Sequence, residues 1–204
     1  PRWMFDVIVA DPPWFYNDRR DKHTRFCGGA RTHYDVMKTS DLAALPICMI
    51  ASKNSYLFLW ATWPTLPDAL IVMAAWGFRY RTLAFCWTKV NRDGSPWHGI
   101  GYYMKSGSEP CLLGVRGKPW KHSDSISSTI LASRRRHSQK PEGYREKIQT
   151  FCGSVRYVEL FARPPLMDGW MSVGDEVDGR DIRDTLREFV ALRTIDDLPI
   201  EVLS

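Results

Sequence analysis

The sequence predicts a single α/β domain over residues 1–204, built on a mostly parallel, doubly wound sheet with two long loops on one side. Three observations lead there. Short, near-continuous apolar runs such as Phe5–Ala10 and Ser55–Thr62 mark strands covered on both faces. Ser55–Thr62, Pro67–Trp76 and Phe78–Lys89 read in turn as strand, helix and strand, a unit that implies a right-handed crossover in a parallel sheet. A chain of 204 residues suits one domain with a real core, and it shows no internal repeat, low-complexity tract or domain boundary.

The elements follow in order. After the strand Phe5–Ala10, residues 15–33 turn polar and basic and read as a long loop. Ser40 or Asp41 then caps a short helix running to about Leu45. In the helix Pro67–Trp76, Leu66, Ala69, Leu70, Met73 and Trp76 fall on one face and Gly77 ends it. A second long loop, 91–107, is rich in Gly, Trp, His and Tyr. Glu109–Arg116 is a strand, Trp120–Ser128 irregular, and Thr129–Ala132 a short strand. Pro141–Phe151 reads as a helix with Pro at its first position and Gly153 after its end. Val155–Phe161 and Trp170–Val173 are strands. Asp181–Arg193 is an amphipathic helix with Ile182, Leu186, Phe189 and Val190 inward.

A net charge of +5 and a pI near 9.0 lean toward an anionic partner, of which nucleic acid is the first candidate. Cys27, Cys48, Cys86, Cys111 and Cys152 are scattered and form no CxxC pair, so neither a zinc site nor a disulfide framework is expected. Several sit in apolar runs and read as small buried hydrophobes, in a reducing, cytoplasmic setting, bacterial or phage-infected. No signal-peptide pattern or apolar run of membrane length occurs, so no membrane partner is expected. The chain opens on Pro1 rather than Met, which leaves initiator removal and trimming equally open.

The first strand ends in "DPPW", Asp11 to Trp14. Ligands of open parallel sheets sit beyond the carboxyl ends of the strands. Pro12 and Pro13 fix their own φ angles and bring carbonyl oxygens but no N–H, and an ionised Asp11 is acceptor-only. A stiff cluster of acceptors therefore stands beside a flat ring from Trp14, Phe15 or Tyr16. An amino-substituted nucleobase suits that pairing: its exocyclic amine donates two protons and its ring stacks. Acceptors on both protons resist conjugation of the nitrogen lone pair into the ring, which frees it as a nucleophile.

Three basic-aromatic clusters accompany the elbow. Arg19, Arg20, Lys22 and Arg25 lie with Phe15, Tyr16 and Phe26; Arg134, Arg135 and Arg136 with His137; and Lys105 with Trp97, His98, Tyr102 and Tyr103. Phosphates need cations and extruded bases need stacking faces, so these segments point to nucleic acid.

Taken with "YDVM", "YLFLWATW", "EPCLLGVRGKP", "HSQKPE", "VELFARP" and "GWMSVGDEVDG" in this order, "VIVADPPW" makes nearly the whole chain resemble the DPPW-type adenine-N6 methyltransferases. That family includes the catalytic subunit of the eukaryotic messenger-RNA adenosine methyltransferase and bacterial and phage relatives acting on DNA. The resemblance implies a Rossmann-like, S-adenosylmethionine-dependent domain in a permuted order, with the catalytic motif before the cofactor motif. It makes Asp11, Pro12, Pro13 and Trp14 the catalytic elbow, with Asp11 also touching the cofactor. It places Tyr34 and Glu109 at the acceptor base, where the elbow reading already sets Trp14 or Tyr16 against the ring, and Lys140 at the cofactor's methionine portion. Glu159, Phe161 and Arg163 would wrap the cofactor, and Asp175 and Glu176 would reach its ribose. An acid about 20 residues beyond a second buried strand's acid is also how this architecture generally binds ribose hydroxyls, and Asp178 could serve instead. Lys140 before a predicted helix start likewise suits an anionic group. Relatives carry a His-Asn pair where this chain has Pro165 and Leu166, and amides where it has Asp175 and Glu176.

The function expected is direct, in-line transfer of a methyl group to N6 of adenine, with DNA ahead of RNA and with neither a metal nor a covalent enzyme intermediate. RNA methylation and a non-catalytic nucleic-acid-binding subunit are the alternatives. A homodimer or a family heterodimer is compatible with the sequence.

Overall fold

A computed structural model describes residues 3–16, 36–99, 103–133 and 139–196. Its strands are β1 (Phe5–Ala10), β2 (Ala51–Trp60), β3 (Arg79–Val90), β4 (Ser108–Arg116), β5 (Thr129–Ser133), β6 (Tyr157–Leu160) and β7 (Met171–Val173). Its helices are α1 (Thr39–Ala43), α2 (Ile47–Ile50), α3 (Leu66–Ala75), α4 (Tyr144–Cys152), α5 (Asp175–Asp178) and α6 (Ile182–Asp196).

The strands form one sheet in the order β5-β3-β4-β2-β1-β6-β7. Parallel ladders join β1 to β2 and to β6, β6 to β7, and β3 to β5. β4 runs antiparallel to both of its neighbours, β2 and β3. The sheet is therefore mixed rather than parallel throughout: β2 and β3, on either side of α3, point the same way, with the antiparallel β4 wedged between them. An apolar run reports burial on both faces but carries no information on strand direction.

Alternation along the strands feeds two cores. Ile8, Ala10, Leu57, Leu59, Val158 and Leu160 face a cluster that Leu42, Ile47, Val72 and Leu186 complete from α1, α2, α3 and α6. Val7, Val9, Tyr56, Phe58, Trp60 and Tyr157 face a second cluster with Tyr144, Ile148 and Cys152 of α4. Helices on both faces make the sheet doubly wound, as expected. Each such buried large apolar side chain contributes about 1.5–3 kcal/mol, so β1, wholly buried from Val7 to Ala10, is pinned between β2 and β6.

Details of the helices depart from their predicted faces and ends. In α3, Ala69, Val72 and Met73 are buried while Leu70 is exposed; Trp76 follows the helix and anchors it by donating its Nε1–H to the Leu42 carbonyl at 2.8 Å. α4 begins at Tyr144 rather than Pro141, because Gly143 holds the left-handed region at φ 78°. Gly153 does end it, at φ 76°. In α6, Ile182, Leu186 and Phe189 are buried as expected. Among the described residues no helix is long and apolar enough to cross a membrane.

Candidate active site

The elbow after β1 is held by its own backbone and by its neighbours. The Trp14 N–H turns back onto the Pro12 carbonyl at 2.9 Å, and the Pro13 carbonyl accepts the Met37 N–H at 2.8 Å. The Phe15 N–H donates to the Met37 carbonyl at 3.1 Å. With no N–H on either proline, these are the bonds the turn can make, and the Pro12 oxygen keeps a second lone pair. The Trp14 ring is 5% exposed and its Nε1–H donates to the Trp60 carbonyl at 3.0 Å. Its face is thus committed to the core. Of the three rings expected to offer a flat face, Trp14, Phe15 or Tyr16, Trp14 is thereby ruled out: it clamps the elbow to the end of β2. Tyr16 stays half-buried, with its hydroxyl 3.0 Å from Thr62 Oγ1.

Behind the elbow runs a chain of alternating charges. Lys140 Nζ lies 2.7 Å from the Asp11 carboxylate and 3.4 Å from Glu109 Oε2, and Lys89 Nζ donates to Glu109 Oε1 at 2.5 Å. All four side chains are largely withdrawn from water, at 12–21% exposure. Burial alone would lower the Lys140 pKa, but Asp11 and Glu109 outweigh it and hold the ammonium above the usual lysine range. Burial would likewise raise the Glu109 carboxyl, yet Lys140 and Lys89 hold it below the usual carboxylate range. The Trp60 ring lies 5.5 Å from the Lys140 ammonium, and Tyr144 packs edge-on against that ring.

A cavity of about 370 Å³ opens beside this chain, walled by Asp11, Lys140, Tyr144, Glu159, Phe161 and Arg163 among others. That size suits a small-molecule site. Glu159 stands beside Val9 in the β1–β6 ladder and is buried. Its Oε1 accepts from Tyr144 Oη at 2.6 Å and Arg145 Nη2 at 2.8 Å, and its Oε2 accepts from Arg145 Nε at 2.9 Å. Both oxygens already carry strong donors, so Glu159 shapes the wall through α4.

At the end of β6, Phe161 takes φ 58°, a region costly for a non-glycine residue and frequent at functional sites. Arg163 Nε pairs with Glu176 Oε1 at 2.8 Å, and Asp175 Oδ1 accepts the Glu176 N–H at 3.0 Å. Asp175 and Glu176 open α5 just past β7, exposed, and Glu176 meets the cavity wall through Arg163. A wall carrying a buried ammonium, a guanidinium and carboxylates can hold a zwitterionic ligand.

The structure thus gathers Asp11, Pro12, Pro13, Trp14, Tyr16, Glu109, Lys140, Glu159, Phe161 and Arg163 at one end of the sheet, with Asp175 and Glu176 at the rim. Lys105 is exposed in the loop after β3. Arg19, Arg20, Lys22, Arg25, Tyr34, Arg134, Arg135 and Arg136 lie outside the described residues. Sequence reasoning missed Lys89, Tyr144 and Arg145. Lys89 had a signal: Phe85, Trp87 and Lys89 share a face of β3, and the first two are buried. A lysine on an inward face calls for a carboxylate partner. Arg145 had none, since its partner is set by the packing of α4 on β6.

A family model described as MT-A70 matches residues 5–176. The type II methyltransferase M.MunI of a Mycoplasma species is 30% identical over 192 residues, covering 87% of this chain and 79% of that protein. The N(6)-adenosine-methyltransferase catalytic subunit METTL3 of Homo sapiens is 29% identical over 183 residues, covering 86% of this chain and 28% of that protein. Subunit METTL3 of Danio rerio matches with the same identity and coverage.

Proposed function

The chain belongs to the MT-A70 family of adenine-N6 methyltransferases, and from that premise we propose that it uses S-adenosylmethionine to methylate the N6 amine of adenine in DNA. The observation that carries this reading is the Asp11 carboxylate at the end of the buried strand β1, ion-paired to Lys140 on the wall of a cavity of about 370 Å³. DNA is favoured over RNA because the type II methyltransferase is matched over most of its length, whereas the N(6)-adenosine-methyltransferases are matched over 28% of theirs.

The roles follow from the geometry. Asp11 accepts a hydrogen bond from one N6 proton, and the free lone pair of the Pro12 carbonyl accepts from the other. That pair of acceptors keeps the nitrogen lone pair out of the ring and aims it. With Trp14 buried, Phe15 and Tyr16 are the half-buried rings of the elbow left for the base, of which Tyr16 is taken here, and Tyr34 joins it by resemblance. S-adenosylmethionine, when bound, supplies an electrophilic sulfonium methyl. The mixed charge of the wall fits that zwitterion: Lys140 meets a carboxylate, while Arg163, Asp175 and Glu176 stand at the rim for ribose hydroxyls. Phe161 turns the backbone around the cavity. In this reading the catalytic elbow follows β1 and the cofactor segment follows β6, so the chain meets the catalytic motif first although the two strands lie side by side.

Asp11→Ala tests the assignment. Lys140 keeps Glu109 as a counter-ion, so cofactor binding by calorimetry should persist, while transfer to an adenine-containing oligonucleotide falls by at least about 10²-fold. The product is checked by nucleoside digestion and mass spectrometry for N6-methyladenine, with matched single- and double-stranded DNA and RNA. Substantial residual transfer in Asp11→Ala, or methylation of RNA alone, would overturn the corresponding half of the reading.

A further inference from the structure

We propose that Lys89 is a positioning residue that locks Glu109 and the base of the loop over residues 91–107 into one arrangement at the acceptor side of the site. This rests on the methyl-transfer reading above and adds a residue to it.

Every polar group of Lys89 is used for that junction. Its N–H donates to the Gly107 carbonyl at 2.8 Å, and its carbonyl accepts the Trp97 N–H at 3.0 Å, so Trp97 and Gly107 both close on this one residue. Its ammonium reaches Glu109 Oε1 at 2.5 Å, and the Trp87 and Trp97 rings lie 4.8 and 5.4 Å from it. The loop is also packed tightly on Trp97. A Cβ at Gly99 would come within 2.8 Å of the Trp97 ring, and one at Gly107 within 2.7 Å of the Trp97 carbonyl oxygen.

Holding one oxygen of Glu109 leaves the other, 3.4 Å from Lys140, turned toward Asp11 and the elbow. A loop gripped by nucleic acid and a carboxylate beside the acceptor base would then share a single anchor. The charged groups facing Glu109 are Lys89 from β3 and Lys140 from the segment before α4, with Asp11 beyond Lys140.

The test compares Lys89→Met, Lys89→Arg and Glu109→Gln with the unaltered chain. Loss of one of two cations should raise the Glu109 carboxyl, so the acid limb of the kcat/KM profile should move up by about 1 pH unit in Lys89→Met. KM for the oligonucleotide should rise while cofactor affinity by calorimetry stays put. Lys89→Arg should restore both. In a Glu109→Gln background, Lys89→Met should shift the limb no further. An unmoved limb and KM, an Arg variant no better than Met, or a loss confined to cofactor affinity would each overturn the proposal.

Titration of the Glu109 carboxyl by carbon NMR gives a readout that needs no substrate. If Lys89→Met is too unstable to assay, Lys89→Gln is titrated with the same expectation. If the unaltered chain methylates no adenine, the functional reading fails on its own, while the titration still decides whether Lys89 sets Glu109.

Discussion

Arg145 grips Glu159 with two nitrogens while the Tyr144 hydroxyl takes a third bond, and the carboxylate they serve is 4% exposed. Removing one partner of such a pair is worse than never having built it, because the survivor is left charged without water. Arg145→Met is therefore expected to lower unfolding free energy by about 3 kcal/mol in urea titrations, with Arg145→Lys recovering only part, since lysine lacks the planar fork. A variant as stable as the unaltered chain would show that Tyr144 alone suffices. At this scale part of the cluster was legible in the sequence. Asp11 stood out by the chemistry of its motif, and Glu109 and Lys140, which the structure brings beside it, by the family resemblance. That Glu159 spends both oxygens on α4, and that Trp14 faces inward to the Trp60 carbonyl, could not be read there, because nothing in a linear string says which neighbour a side chain will meet first.

The turn from β7 into α5 shows how closely the elements are fitted. A Cβ on Gly174 would lie 2.8 Å from the Ala162 carbonyl oxygen and 2.9 Å from its nitrogen, both backbone atoms that cannot swing aside. Gly174→Ala should therefore pry α5 from the end of β6, strain the Ala162 N–H bond to the Val173 carbonyl (2.9 Å), and destabilise the fold by about 1–3 kcal/mol. Because Phe161 and the Arg163–Glu176 pair flank that contact, cofactor affinity should fall with it; calorimetry and thermal melts check the two effects separately. The longer elements were readable from their patterns: β1 spans the run that was predicted, and α6 buries its predicted face. The four-residue helices α2 and α5 were not, since one turn carries no period to detect. The reversed direction of β4 was also hidden, because "EPCLLGVR" is equally apolar read either way.

Across the whole molecule, several groups resist losing a proton. Burial pushes the Cys152 thiol up to about 12 and lifts the Tyr144 and Tyr157 phenols above their usual range, while the acids around Lys140 hold its proton against burial. Each raised group contributes stability that is complete below its unfolded pKa and is lost as pH rises through the folded value. For Cys152 that window runs from roughly 8.5, the unperturbed thiol value, to about 12. The urea midpoint should accordingly hold to about pH 8 and then fall, and Cys152→Ala should make the first part of the fall shallower; an identical slope would count against it. Glu109 works with the opposite sign: its contribution is present above about pH 4.3 and is lost as pH drops through its lowered folded value. The order of the sheet has a further effect during synthesis. Asp6 and Arg156, 150 residues apart in sequence, meet where β6 docks on β1. A nascent chain that has made the whole elbow, β2 and β4 still leaves one flank of β1 bare, a sticky apolar ribbon awaiting its mate. Completion of the cavity wall is thus tied to arrival of β6, and a product terminated before it would be an aggregation hazard rather than a sluggish enzyme.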